Sequence, residues 1–200
     1  MYLKYVKPLI DTVGAIFLLP IVIVEIIIFG PLIWLEDKGS IFYLADRRGK
    51  NGSIFKMYKL RSMKMNAPDI RNADNSTFNS PNDQRVTKIG RFLRKTSLDE
   101  LPQIFNILKG DMSFIGPRPI TINRPLKDYD QKRIDRLKVK PGITGYSQAY
   151  YRNSISQEEK LTLDAKYANN VTFLGDVKIL FKTIDTVLKR KSIYNKGDEK

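Results

Sequence analysis

The apolar residues of this chain fall into one long block and several short periodic runs set in basic surroundings. From Thr12 to Leu35 almost every position is apolar, and Glu25 is the only charge. As one straight helix these 24 residues would be about 36 Å long, enough to span a bilayer. Pro20 lies inside the run, where it removes a backbone hydrogen bond and bends or breaks a helix. The Gly30-Pro31 pair weakens it again. After it, Ile41–Leu44 and Ile54–Tyr58 read as short strands around Asn51-Gly52, a strong hairpin-turn signal. The polar stretch from Asn66 to Gln84 reads as a long loop, either functional or a passive surface excursion.

Helical spacing returns downstream. Residues 88–95 carry an apolar–basic pattern, and Leu101, Ile104, Phe105 and Leu108 share one helical face that ends at Lys109-Gly110. Lys140–Gly145 is a glycine-rich turn, and Phe173–Arg190 is a long amphipathic helix. Val177, Leu180, Phe181, Ile184, Val187 and Leu188 form its apolar side, with Lys178, Lys182, Lys189 and Arg190 supplying charge. The pattern predicts an α+β fold: a compact domain with a short β-hairpin and several amphipathic interfacial helices, plus an N-terminal membrane-inserted helix. The expected division is 1–38 for that helix, broken near Pro20, and 39–200 for a catalytic domain seated on the membrane.

Charge sharpens the topology. The 200 residues carry a formal +14, so the folded surface seeks anions: nucleic acid, lipid headgroups or a phosphorylated substrate. Lys4 and Lys7 precede the apolar block while Arg47, Arg48 and Lys50 follow it, which holds both ends on the cytoplasmic side. A helix that enters and leaves by one face satisfies this; a single-pass anchor and a buried core helix are the alternatives. A signal peptide fits poorly, because the block is too long and no small-residue cleavage site follows. No nucleic-acid-binding motif accompanies the basic excess.

The chain contains no histidine and no cysteine. Acid–base or covalent chemistry therefore falls to carboxylates, hydroxyls, amines or a bound metal, with magnesium suited to oxygen ligands and catalytic zinc disfavoured by the missing imidazole and thiolate donors. Between Arg94 and Pro119 an adjacent pair, Asp99-Glu100, is bracketed by Arg94 and by Arg118, itself set between Pro117 and Pro119 on a constrained loop. Arginine forks bind phosphate in a bidentate manner. The plainer explanation is a capping box from Ser97 to Glu100. Pro102 sits awkwardly in that box, and a helix starting at Leu98 or Asp99 accommodates it better. Asp99 at such a start would stay ionised, as a nucleophile must. Lys59 and Arg61 add cations on one strand face.

The run from Thr96 to Pro119 (TSLDELPQIFNILKGDMSFIGPRP), with YKLRSM upstream and KPGITG downstream, resembles the bacterial sugar transferases known as monotopic phosphoglycosyl transferases. The resemblance covers Met1 to about Lys189. It implies transfer of a sugar 1-phosphate from a UDP-sugar to a polyprenol (undecaprenyl) phosphate at the cytoplasmic face of the cell (inner) membrane, with Mg2+ as cofactor and membrane lipid as surroundings. By that resemblance Asp99 is the nucleophile that releases UMP and also meets the magnesium. Glu100 is its dyad partner in proton transfer, Arg94 a phosphate-binding arginine, and Arg118 the arginine of a nucleotide-binding Pro-Arg-Pro motif. Where the family breaks its re-entrant helix at a Ser-Pro pair this chain has Val24, so the break falls to Pro20 or to Gly30-Pro31. A basic, membrane-attached binding protein without catalysis is the competing class, and a nucleotide-sugar enzyme with another acceptor is a third.

Overall fold

A computed structural model describes residues 1–70, 78, 80 and 82–189. Arg190, expected in the last helix, lies outside the described residues, as does much of the polar 66–84 loop.

Helix α1 runs from Lys7 to Asp37, preceded by a π-helical turn at Tyr2–Val6. It is continuous through Pro20 and Pro31, so the interruption expected near Pro20 is absent. Each proline forfeits an amide bond and crowds the carbonyl four residues back, a cost that packing of the flanking turns must offset. Contacts on either side of Pro20 hold both halves to the same body. Lys7, Asp11, Ala15, Val22, Glu25, Gly30 and Ile33 are its buried residues, three to five or seven apart, so they form one stripe along the helix. The opposite side exposes Leu9, Val13, Ile16, Phe17, Ile21 and Ile27.

Polar clamps hold α1 at both ends. Near the start, Lys7 Nζ lies 2.6 Å from Asp176 Oδ2, which also accepts from the Tyr2 hydroxyl. The Phe114 amide donates to Asp11 Oδ1. At the far end, the Arg61 guanidinium grips both Asp37 carboxylate oxygens at 2.5 and 2.6 Å. Glu36 Oε1 accepts the first two amides of α2, which spans Lys88–Thr96.

Strands β1 (Phe42–Arg48) and β2 (Ile54–Leu60) form the expected antiparallel hairpin. Its turn places Asn51 at φ 56° and Gly52 at φ 81°, left-handed values that Asn-Gly tolerates. The 98–103 segment is a 3-10 turn leading into the short helix α3 (Ile104–Leu108). Two further strands, β3 (Ser113–Ile115) and β4 (Ile120–Thr121), flank the Pro117-Arg118-Pro119 loop, and β4 extends the hairpin sheet beside β1. Helix α4 (Gln131–Arg136) precedes β5 (Gly142–Thr144), which pairs in parallel with β3; the glycine-rich segment read as a turn is therefore partly strand. Helices α5 (Tyr146–Tyr150), α6 (Gln157–Asn169) and α7 (Phe173–Leu188) close the domain. The main core joins Ala15 and Val22 of α1 to Phe55, Met57, Ile104, Ile107 and Met112.

Candidate active site

Asp99 and Glu100 lie in the 3-10 turn that follows α2. Ser97, in the left-handed region at φ 61°, makes no side-chain cap bond, so the capping box does not form. The Glu100 side chain turns away from the backbone and meets Lys59 Nζ at 2.5 Å. Pro102 is accommodated inside the 3-10 turn, whose start at Leu98 matches the sequence expectation.

Asn106 fixes the turn and α3 against the hairpin. Its side chain accepts from the Tyr58 amide and donates to the Lys56 carbonyl. It is fully buried, and a buried amide side chain that satisfies two backbone groups of one strand sets that strand's position. This brings Lys59 beside the carboxylate pair.

An open cleft exposes this region, with Asp99, Glu100, Lys59, Arg94 and Arg118 in its wall. Asp99 is 9% exposed, close enough to the surface to meet a ligand yet largely withdrawn from water. Burial pushes its carboxyl up to about 6; Lys59 opposes the rise, Glu100 adds to it, and Arg94 and Arg118 also oppose it. Burial is the larger effect and the neighbouring cations limit it, so Asp99 titrates above the ordinary carboxylate range yet is still mostly ionised at neutral pH. Glu100 behaves oppositely. Burial acts to raise it, but Lys59 and Arg118 outweigh burial and hold it down near 2.

The cations divide into two groups. Arg94, in the last turn of α2, donates from Nε to Ser62 Oγ at 2.9 Å and acts electrostatically on Asp99. Arg118 is 57% exposed in its side chain, with Nη2 3.8 Å from Glu100 Oε1. Pro117 is buried below it, and Pro119 is half-buried. Close backbone contact fixes the loop: a Cβ on Gly116 would come within 2.3 Å of the Lys140 carbonyl. Arg61, expected beside Lys59, is instead 5% exposed and bound to Asp37, to the Ser40 carbonyl and to the Ile33 carbonyl. It anchors α1 rather than facing the cleft centre.

Two relevant residues escaped the sequence reading. Arg152, at φ 47°, lies within electrostatic reach of Glu100; one arginine among 35 basic residues carries no distinguishing pattern. Glu25 is 5% exposed, within electrostatic reach of Asp99, and neither carboxylate oxygen has a hydrogen-bond partner. Its isolation in the apolar block was the available signal.

Among the described residues no group of three or more acidic side chains is arranged to hold a metal. Magnesium is commonly held by one or two carboxylates together with substrate phosphates. The single Asp99 carboxylate, opening on a cleft lined by cations, fits that donor set only when a phosphate supplies the remaining oxygens.

The family of bacterial sugar transferases matches residues 2–190. The undecaprenyl-phosphate galactose phosphotransferase of Salmonella typhimurium is 39% identical over 208 residues, covering 96% of this chain and 42% of that protein. An uncharacterized sugar transferase of Haemophilus influenzae is 41% identical over 186 residues, 84% of this chain and 39% of its own length. The chain thus spans about two fifths of these two relatives. The uncharacterized sugar transferase EpsL of Bacillus subtilis is 41% identical over 187 residues, covering 94% of this chain and 89% of EpsL. A match of this extent, enclosing the Asp99-Glu100 turn and the Pro117-Arg118-Pro119 loop, makes this chain a member of the bacterial sugar transferase family.

Proposed function

We propose that this chain transfers a sugar 1-phosphate from a UDP-sugar to a polyprenol phosphate, through a covalent intermediate on Asp99. The observation that carries this reading is the diversion of Glu100 from helix capping to Lys59, which leaves Asp99 beside a cation-lined cleft. The Salmonella relative, named an undecaprenyl-phosphate galactose phosphotransferase, supports the same reaction class.

In the first step an Asp99 carboxylate oxygen attacks the β-phosphorus of the donor. The new bond is Asp99 O–P, the bridging P–O bond breaks, and UMP departs with that electron pair. Lys59, Arg94 and Arg118 offset the phosphate charge, which is where electrostatic stabilisation does most for phosphoryl transfer. In the second step a phosphate oxygen of the lipid attacks the same phosphorus and expels the Asp99 carboxylate, leaving a lipid diphosphate sugar. If the lipid phosphate arrives carrying a proton, Glu100 is the nearby acceptor. Held near 2 by its cations it is a weak base, and it becomes a better one when the Asp99-bound phosphate and the lipid phosphate draw Lys59 and Arg118 away. Magnesium, held by Asp99 and phosphate oxygens, would add further charge compensation.

The membrane setting belongs to the same proposal. Both ends of α1 are clamped to one domain, and its buried stripe runs between them. Such a helix lies in the cytoplasmic leaflet of the inner membrane with both ends at the same face and its exposed apolar side in lipid. Phe173, Leu174, Phe181, Ile184 and Leu188 on α7 and Phe92 on α2 are also exposed, consistent with a domain seated in the headgroup layer.

The test is UMP release from a panel of UDP-sugars, with and without polyprenol phosphate. Asp99→Asn should reduce release by about a thousandfold or more, the scale of losing a covalent nucleophile. Wild-type activity in that variant would sink the mechanism, and lipid-independent turnover would point to another acceptor.

A further inference from the structure

The cleft has two dissimilar ends. One lies where α1 hands over to β1, lined by Ser40, Phe42, Tyr43 and Met65, next to the apolar helix and open to a lipid. The other lies beyond Arg118, toward the hairpin tip, lined by Arg47, Arg124, Tyr129 and Arg133. Tyr43 and Arg48 are five residues apart on β1, roughly 17 Å of strand, so the two ends are well separated. A water-soluble, multiply charged donor suits the basic end.

Tyr129 is the aromatic side chain there. The Arg48 guanidinium lies over its ring at 5.5 Å, and the half-buried ring borders the cleft. Arg48 is held by carbonyls, its Nη2 donating to Arg124 O at 3.2 Å and its Nη1 to Gly52 O at 3.4 Å. Its buried Nε has no hydrogen-bond partner, and among the described residues no carboxylate neutralises it. Arg48 also pairs in register with Ile120, two residues past Arg118. Arg136 lies within electrostatic reach of Tyr129 and donates to the Arg118 carbonyl at 2.8 Å. An aromatic ring backed by a guanidinium, just past a phosphate-facing arginine, is the arrangement that accepts a nucleobase by stacking.

We propose that Tyr129, supported by Arg48, is the stacking platform for the base of the nucleoside diphosphate donor. The proposal rests on the UDP-sugar reading above, and it divides the donor between Arg118 at the phosphates and Tyr129 at the base.

The test is equilibrium binding to the full chain in lipid nanodiscs, with UDP and inorganic pyrophosphate as separate probes. Base–aromatic stacking is worth about 1–3 kcal/mol, so Tyr129→Leu should weaken UDP binding roughly 5- to 150-fold and leave pyrophosphate binding unchanged. Tyr129→Phe, which keeps the ring, should bind UDP within about threefold of wild type. Tyr129→Leu with wild-type affinity for UDP would overturn the proposal. Equal losses for UDP and pyrophosphate would overturn it too, because they report damage to the site rather than loss of a base contact. Wild-type protein that binds UDP no more tightly than pyrophosphate would instead overturn the donor reading itself.

Discussion

Asp99 is held in a condition that costs stability and that the proposed reaction would use. Burial raises its carboxyl to about 6 from an ordinary 3.8, so the folded protein binds that proton more tightly than the unfolded chain. Its contribution to stability is therefore fully present below pH 4 and is lost as pH rises toward 6. Asp99→Asn should accordingly be the more stable protein at pH 7.5, by about 1 kcal/mol or more, with the advantage shrinking by pH 4.5. Chemical denaturation at the two pH values measures this, and an advantage that grows toward acid would contradict the burial argument. The proposed nucleophilic role needs the ionised form, so on that reading UMP release should fall as pH drops through about 6, while Glu100, held near 2, stays charged. Glu25 poses a related problem, since its buried oxygens have no partner. Glu25→Leu should raise thermal stability, by about 1–3 kcal/mol on the scale of an unsatisfied buried polar group. A loss of stability would show that the Glu25 carboxylate is paired in the folded protein.

Helix α1 is held along its length by a stripe and at its ends by ion pairs. At the first end, Asp176 accepts from Lys7, Tyr2 and Tyr167 together. Asp176→Ala would leave Lys7 buried without its partner, a change that typically costs about 3–5 kcal/mol. The expected result is early proteolysis near the N-terminus and a lower melting temperature, with donor affinity little changed in the protein that remains folded. Unchanged melting would show that the pair does not hold the helix. The hairpin and α7 were legible in the sequence because each follows from local rules: Asn51-Gly52 in a left-handed turn, and apolar residues at helical spacing. The 3-10 turn was less legible. Ser97–Glu100 satisfies a capping box by composition, and the cations brought beside it, Lys59 foremost and Arg118 with it, draw Glu100 elsewhere.

Over the whole molecule, one domain receives both ends of an apolar helix, and its basic cleft opens beside that helix. Single cysteines introduced at Tyr2 and Ser40 should label from the same side of the membrane, using a membrane-impermeant reagent on sealed vesicles. Labelling from opposite sides would restore the single-pass reading. In the proposed reaction the two ends of the cleft would give the substrates separate approaches, lipid from the α1 side and nucleotide from the hairpin tip.

Composition and local pattern were sufficient to give the apolar helix, the basic surface, the hairpin, the restriction of chemistry to oxygen and amine groups, and the Asp99-Glu100 and Arg118 candidates. These are properties of spacing and residue type, which survive without long-range contacts. The folded structure alone decided that Arg61 serves Asp37, that Glu100 pairs with Lys59, and that Glu25 and Arg152 approach the carboxylate pair. Each depends on residues far apart in the chain meeting in a low-dielectric interior. There, burial and the nearest opposite charge decide which partner a side chain takes.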